Sequence, residues 1–332
     1  MLSRRAFSLV RGGGGAADGV WVRFAARRAG RLVLSLLVLV TAAFAMIHAL
    51  PGDPVRAALG PTAPIELINA RRAAMGLDDP LWLQYLHYLG NLFTGDLGIS
   101  MTSGLPVSDV ISARFGSTVE MAVLAFAVAV VVSVPLGTLM AVLVRHGRRR
   151  AGDFAFTSAS VVLATIPEFL MAVGLVFLFS VQLGWLPVAG RSGPDSYVLP
   201  VLSLAIGPSF VLARIVRVEM LTVLEADYVR TARAKRLPDR VVYLRHALPN
   251  ALTTTLTLGG LLLGSLVAGT VLVENVFAWP GLGGTIVGSI LAKDYPTVQG
   301  VVLVYGVGVL LVNLVVDVAL AVVDPRSTIR ES

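Results

Sequence analysis

Residues 225–250 read Glu-Ala-Asp-Tyr-Val-Arg-Thr-Ala-Arg-Ala-Lys-Arg-Leu-Pro-Asp-Arg-Val-Val-Tyr-Leu-Arg-His-Ala-Leu-Pro-Asn, a charged island between two long apolar segments. The chain around it has 332 residues, 56% of them hydrophobic and only 14% charged, with a mean hydropathy of +0.81. A soluble domain of that composition would expose far too much apolar surface to stay dispersed. Runs nearly free of charge cover 32–50, 121–144, 154–183, 198–213, 251–273 and 298–316. About 20 such residues cross a ~30 Å hydrocarbon core as a helix, so six spans are expected, the fourth of them short. That fourth run holds Pro200 and Gly207-Pro208 and ends near Arg214 and Arg217, which predicts a bent helix continuing into the cytoplasm. Its interruption either lines a cavity or is a kink of packing value only.

Orientation follows from Lys and Arg, which are retained on the cytoplasmic side. With the N-terminus inside, 21 of the 27 basic residues fall on that side, eight of them between Arg214 and Arg245. Both termini are therefore expected in the cytoplasm. The net charge of +7 resides at membrane ends rather than on one soluble face, which points to anionic lipid headgroups and not to nucleic acid. Cysteine is absent, so disulfides and thiolate chemistry are excluded. The first thirty residues, with Gly12–Gly15 and scattered arginines, read as a flexible tail. No small-residue cleavage pattern follows the first span, so an anchor is expected rather than a removed signal; an Arg-rich, acid-poor presequence is the rival reading.

Catalysis finds little support. There is no G-x-x-x-x-G-K-[ST] loop to cradle a nucleotide, no H-E-x-x-H, and no G-x-S-x-G; His48, His87, His146 and His246 are scattered. No catalytic or metal-ligating set is expected. Ionisable residues inside spans are candidates for function by default, and Glu168, following Pro167 about halfway along the third run, leads them. It either faces a water-filled passage, where it could attract the amino terminus of a peptide, or pairs with a neighbouring subunit. Asp317 and Asn313 near the inner end of the last span are expected to be wet or interhelical.

Three stretches resemble the membrane subunits of ATP-binding cassette importers. In the loop, Ala232, then Arg236 where that family has Gly, then Leu248-Pro249 follow the order of its EAA loop, in which two short helices meet at an angle. The run 227–235 is similar to the dipeptide and oligopeptide branch. So are Gly76-Leu-Asp-Asp79-Pro80, Gln84-Tyr85 and Gly95-Asp96-Leu-Gly98 in the outer segment, and Val273–Phe277 with Trp279-Pro-Gly281 after the fifth span.

The resemblance implies an all-α membrane protein of six transmembrane helices, with an outward-facing insertion after the first and a cytoplasmic coupling-helix loop between the fourth and fifth. The expected organisation is a basic tail at 1–29, a first helix at 30–50, an extracytoplasmic insertion at 51–116, a permease core at 117–325 with the loop at 223–248, and a tail at 326–332. It implies import of dipeptides or oligopeptides, or of nickel or glutathione within the same branch. A passive channel or membrane scaffold is the alternative from another class. ATP and Mg would be bound by two partner ATPase subunits or domains. A second homologous permease, an external substrate-binding protein and membrane lipids complete the expected partners, and a bacterial cytoplasmic membrane the expected location.

Site residues follow from the same resemblance and from local chemistry. Tyr228, Arg230, Thr231, Ala232, Arg233, Lys235, Arg236, Pro238 and Pro249 are expected to couple to the ATPase, with Tyr228, Ala232 and Lys235 near one helical face. At the place of the missing Gly, Arg236 either accepts strain on the order of 1 to 3 kcal/mol or the turn is rebuilt, and Pro238 favours rebuilding. Pro167, Glu168 and Pro208 are expected along the passage. Asp79, Gln84, Tyr85, Gly95, Asp96, Gly98, Phe277 and Trp279 are expected at an outer gate or docking surface. Asp79-Pro80 should start a helix there, with Asp79 as its acidic cap, and Gly95-Asp96 should end it.

Overall fold

The computed structural model describes residues 16–49, 53–60, 62–145 and 150–323, and the regular structure there is helical apart from one isolated bridge between Ile99 and Pro106. The helices are α1 (Ala16–Ala49), α2 (Pro54–Leu59), α3 (Ile65–Ala74), α4 (Leu81–Thr94), α5 (Val107–Arg145), α6 (Arg150–Thr165), α7 (Glu168–Leu175), α8 (Val198–Leu224), α9 (Asp227–Ala234), α10 (Asp239–Val241), α11 (Leu248–Val276), α12 (Leu282–Leu291) and α13 (Tyr295–Val323). Two π-helical stretches, Val176–Gln182 and Val242–Ala247, prolong α7 and join α10 to α11. Among the described residues, five helices are long and apolar enough to cross a membrane, and α6 with α7 makes a sixth if that bent pair is one span.

Helix α1 begins at Ala16, inside the segment expected to be a flexible tail, because alanine and arginine are good helix formers and the apolar run beyond them propagates the helix. Residues 1–15 of that tail and the tail at 326–332 lie outside the described residues. Arg28 of α1 pairs with Asp317 of α13 at 2.5 Å, so Asp317 is interhelical. A second ion pair, Arg217 with Asp153, joins α8 to α6.

The expected interruption of the fourth span lies in the third instead. Pro167 has an extended backbone (φ −58°, ψ 143°), and the axes of the two helices flanking it differ by 98°. Proline removes a donor and steers the preceding residue away from helix, so α6 ends before it and α7 starts immediately after. Pro208, by contrast, lies buried within a continuous α8; Pro200 falls in that helix's first turns, and the Ser209 hydroxyl donates to the Ala205 carbonyl at 2.6 Å.

The core forms around α8, whose main partner is α5. At Gly137 the two helices touch: a Cβ there would meet the Ala213 carbonyl oxygen and lie 2.7 Å from Val216 Cβ. Small residues allow such backbone approach where helices pack in lipid. Gly137→Val should force α5 and α8 apart and destabilise the subunit by about 1–3 kcal/mol or more, read as a lower melting temperature of the purified protein in detergent, whereas Gly308→Val, with open space around it, should leave the melt unchanged.

Candidate functional site

The charged loop folds as a short helix rooted in the bundle. Helix α9 follows an extended Ala226 and carries Asp227 in its first turn, where a carboxylate suits the exposed N–H groups. Val229 and Ala232 are buried with Ala141, Val216, Met220 and Leu224, so the inner face of α9 packs on the ends of α5 and α8. Ala232 shares the face expected for it with Tyr228 and Lys235, and there it is nearly covered. Its side chain packs within the chain and also borders a cavity of about 400 Å³ with the exposed Tyr228, Thr231 and Lys235 and with Leu237, His246 and Asn250. Arg230 is exposed, and its 3.5 Å contact with Asp227 is a surface pair of little energetic weight. Arg233 is half-buried.

At the turn, Arg236 has φ +56°. The left-handed geometry for which glycine is suited is thus kept by an arginine, and the turn is strained rather than rebuilt, correcting the expectation drawn from Pro238. The Arg236 N–H donates to the Arg233 carbonyl at 2.8 Å and the Leu237 N–H to that of Ala232 at 3.4 Å, closing the end of α9. Pro238 is extended and begins the next turn, and Pro249 occupies the first turn of α11.

On the opposite side, the insertion is fastened to the bundle. Helix α4 follows Pro80; Asp79 makes no cap, and instead Gln84 Nε2 donates to the Leu77 and Asp79 carbonyls at 3.1 and 2.8 Å. Gly95 ends the helix with φ +78°, and Asp96 accepts from the Gly98 N–H at 2.8 Å. Tyr85 shares a hydrogen bond with Thr41 at 2.8 Å and stands edge-on to Phe44, so α4 lies against the outer end of α1.

Three polar clusters that sequence reasoning missed hold the outer closure. Glu274, fully buried at the end of α11, accepts from Thr118 Oγ1 at 2.7 Å and the Gly283 N–H at 2.5 Å, while Thr118 accepts from the Leu282 N–H at 2.9 Å. Side chains at Gly281 and Gly283 would collide with that carboxylate, so the glycine-rich stretch 281–284 exists to let α12 fold back over it. Arg191 donates to Tyr197, Ser117 and Glu120 at 2.7, 2.9 and 2.7 Å and lies over the Tyr197 and Trp279 rings. Asp294, also buried, accepts from Ser100, Met101 and Thr297 and binds the loop 98–104 of the insertion to the junction of α12 and α13. Burial raises the Asp294 pKa, but the hydrogen bonds from Ser100, Met101, Thr297 and Thr102 outweigh it and hold the carboxyl below its ordinary value.

Phe277 and Trp279, expected at an exposed interface, are buried in the chain's own core because Pro280-Gly281 turns them under α12; Trp279 meets Tyr197 edge-on at 4.7 Å. Along the third span, Pro167 and Glu168 are exposed at its break, and Pro208 is enclosed by its own subunit.

A bundle of apolar helices, closed on one side by a clamped insertion and bearing a charged helical lever on the other, defines the membrane-embedded part of a transporter that a partner drives. The chain belongs to the family described as the binding-protein-dependent transport system inner membrane component, whose model matches residues 133–329; the model for the N-terminal part of such components matches 21–122. It is 39% identical over 294 residues to glutathione transport system permease proteins GsiC of Escherichia coli O6:H1 and Shigella flexneri serotype 5b, covering 89% of this chain and 95% of each relative. The GsiC of Shigella boydii serotype 4 is 38% identical over the same length. A crystal structure of an amino acid ABC transporter with histidines superposes with a TM-score of 0.46 at 17% identity, covering 63% of this chain and 91% of that one. This chain is a permease subunit of an ATP-binding cassette importer of the dipeptide and oligopeptide branch, a component of the inner membrane that works with ATPases and a substrate-binding protein.

Two outcomes follow. Arg236→Gly should change stability by no more than about 1 kcal/mol, because relief of strain offsets the freedom of glycine in the unfolded chain. Arg236→Val should cost about 1–3 kcal/mol; melting of the two variants separates the cases. Because the folded Asp294 pKa is depressed, its stabilisation is present above the unfolded value and lost as pH falls through the folded one. Asp294→Asn should therefore weaken the subunit at neutral pH and flatten its acid loss of stability below about pH 4, measured by melting across pH 3 to 7.

Proposed function

We propose that this subunit passes short peptides, glutathione included, into the cell by alternating access, and that partner ATPases drive it by displacing α9. The observation that carries this is the rooting of α9: Val229 and Ala232 lock it into the ends of α5 and α8, while Tyr228, Arg230, Thr231 and Lys235 are exposed. A push on those exposed residues reaches the spans without being absorbed in the loop. The peptide class of cargo is supported by the glutathione permeases that the chain resembles over nearly its whole length.

The complete importer then contains this chain, a second homologous permease, two ATPase subunits or domains that bind ATP and Mg, and an external binding protein. Tyr228, Arg230, Thr231 and Lys235 face the ATPase; Ala232, Arg236, Pro238 and Pro249 shape the lever that presents them. The excess of basic residues around the loop supports a cytoplasmic position for it and for both termini. On the outside, the insertion receives the binding protein, and Asp294 ties its movement to α12 and α13.

Uptake of isotope-labelled di- to octapeptides, glutathione and nickel, compared in cells with and without this chain, tests the cargo. Loss of peptide or glutathione uptake is expected; loss of nickel uptake alone overturns the peptide reading. Tyr228→Ala, at an exposed position of α9, should lower uptake about tenfold or more, with the protein still inserted in the membrane. Undiminished uptake in that variant would remove the lever from the mechanism.

A further inference from the structure

The break in the third span exposes a carboxylate that nothing among the described residues neutralises. Glu168 is the first residue of α7, exposed, and among the described residues its carboxylate has no hydrogen-bond or ion-pair partner. Its depth follows from its neighbours. The carboxylate lies beside Gly269 of α11, at 3.8 Å from where a Cβ would stand, and Leu204 of α8 flanks the same glycine at 3.5 Å. Gly269 is seven residues before Val276, the outer end of α11, and Leu204 six residues after Val198, the outer start of α8. At a rise of 1.5 Å per residue, Glu168 is about 10 Å below the outer ends of those helices.

Around it the exposed surface is apolar: Phe169, Leu170 and Val173 on α7, and Phe177 beyond. Lipid cannot cover such a place. An unpaired carboxylate at membrane depth costs several kcal/mol, and the bend frees backbone carbonyls at the end of α6, of which the Thr165 hydroxyl takes only that of Val161, at 2.7 Å. Irregular backbone is tolerated at this depth only against protein or a water-filled cavity. Gly269 matters as well, because the missing side chain leaves room beside the carboxylate.

Resting on the importer reading above, we infer that Glu168 lines the outer part of the aqueous passage and binds the ammonium group of the cargo as it leaves the external binding protein. The chemistry selects the ligand: one carboxylate on an apolar wall pairs with one cation, and the amino terminus of a peptide or the free amine of glutathione supplies it with apolar or neutral atoms following behind. A charge-assisted hydrogen bond there is strong enough to orient cargo and weak enough to release it when the passage turns inward.

The experiment uses the whole importer in proteoliposomes with its binding protein, and tri-alanine with a free or an acetylated amino terminus. Glu168→Gln should raise KM for the free peptide about tenfold, the loss of one such bond, and Glu168→Asp should restore most of it. The acetylated peptide should be carried at one rate, high or low, by the wild type and Glu168→Gln alike. The inference is overturned if Glu168→Gln carries the free peptide within twofold of wild type, if both peptides fall in parallel, or if the variant subunit no longer co-purifies with its partners, which would assign the carboxylate to the contact between subunits. A wild-type importer that takes up nickel and no amine cargo overturns the peptide reading itself, and this one with it.

Discussion

Hydrocarbon offers a polypeptide nothing to hydrogen-bond with, and that constraint decides where this chain is regular and where it departs from helix. The long helices α5, α8, α11 and α13 satisfy their backbone internally. Where the chain turns back near the outer surface, side chains take over: Glu274 and Thr118 receive the N–H groups at the start of α12, and Asn275 Nδ2 donates to the Gly283 carbonyl at 3.1 Å. At the bend, Pro167 supplies no N–H, and the Thr165 hydroxyl donates to the Val161 carbonyl.

The same constraint explains what could be read before any coordinates. The apolar runs are long and nearly uncharged, so the spans were legible, and the dense charges of 225–250 marked the one loop that had to leave the membrane as structure. Gly95 as a helix stop was legible because its role is local. Prolines were less so. Pro167 and Pro208 look alike in sequence, yet one breaks a span and the other lies within a helix, because the outcome depends on what packs around each. The polar clusters were not visible at all: Ser100 and Asp294 are 194 residues apart, and Thr118 and Glu274 are 156 apart. No local pattern encodes such a meeting. That Ala232 is also covered by the bundle was not legible for a related reason, since helical spacing gives the faces of α9 but not which of them meets the bundle.

Mechanically, the two sides of the molecule differ. The cytoplasmic lever is held by apolar packing, which is insensitive to direction, and its turn at Arg236 carries strain. The outer closure is held by directional hydrogen bonds on Glu274, Arg191 and Asp294, which permit few geometries and exclude the rest.

The burial of Val229 and Ala232 also changes what genetics can say about such a loop. A search for variants that assemble but fail to work would collect folding defects at these two positions, because bulk there unseats α9 from its own subunit before any partner is reached. Intolerance at Ala232 therefore measures first how α9 fits its own subunit, whereas Tyr228, Thr231 and Lys235 stand exposed around the cavity that Ala232 helps to line.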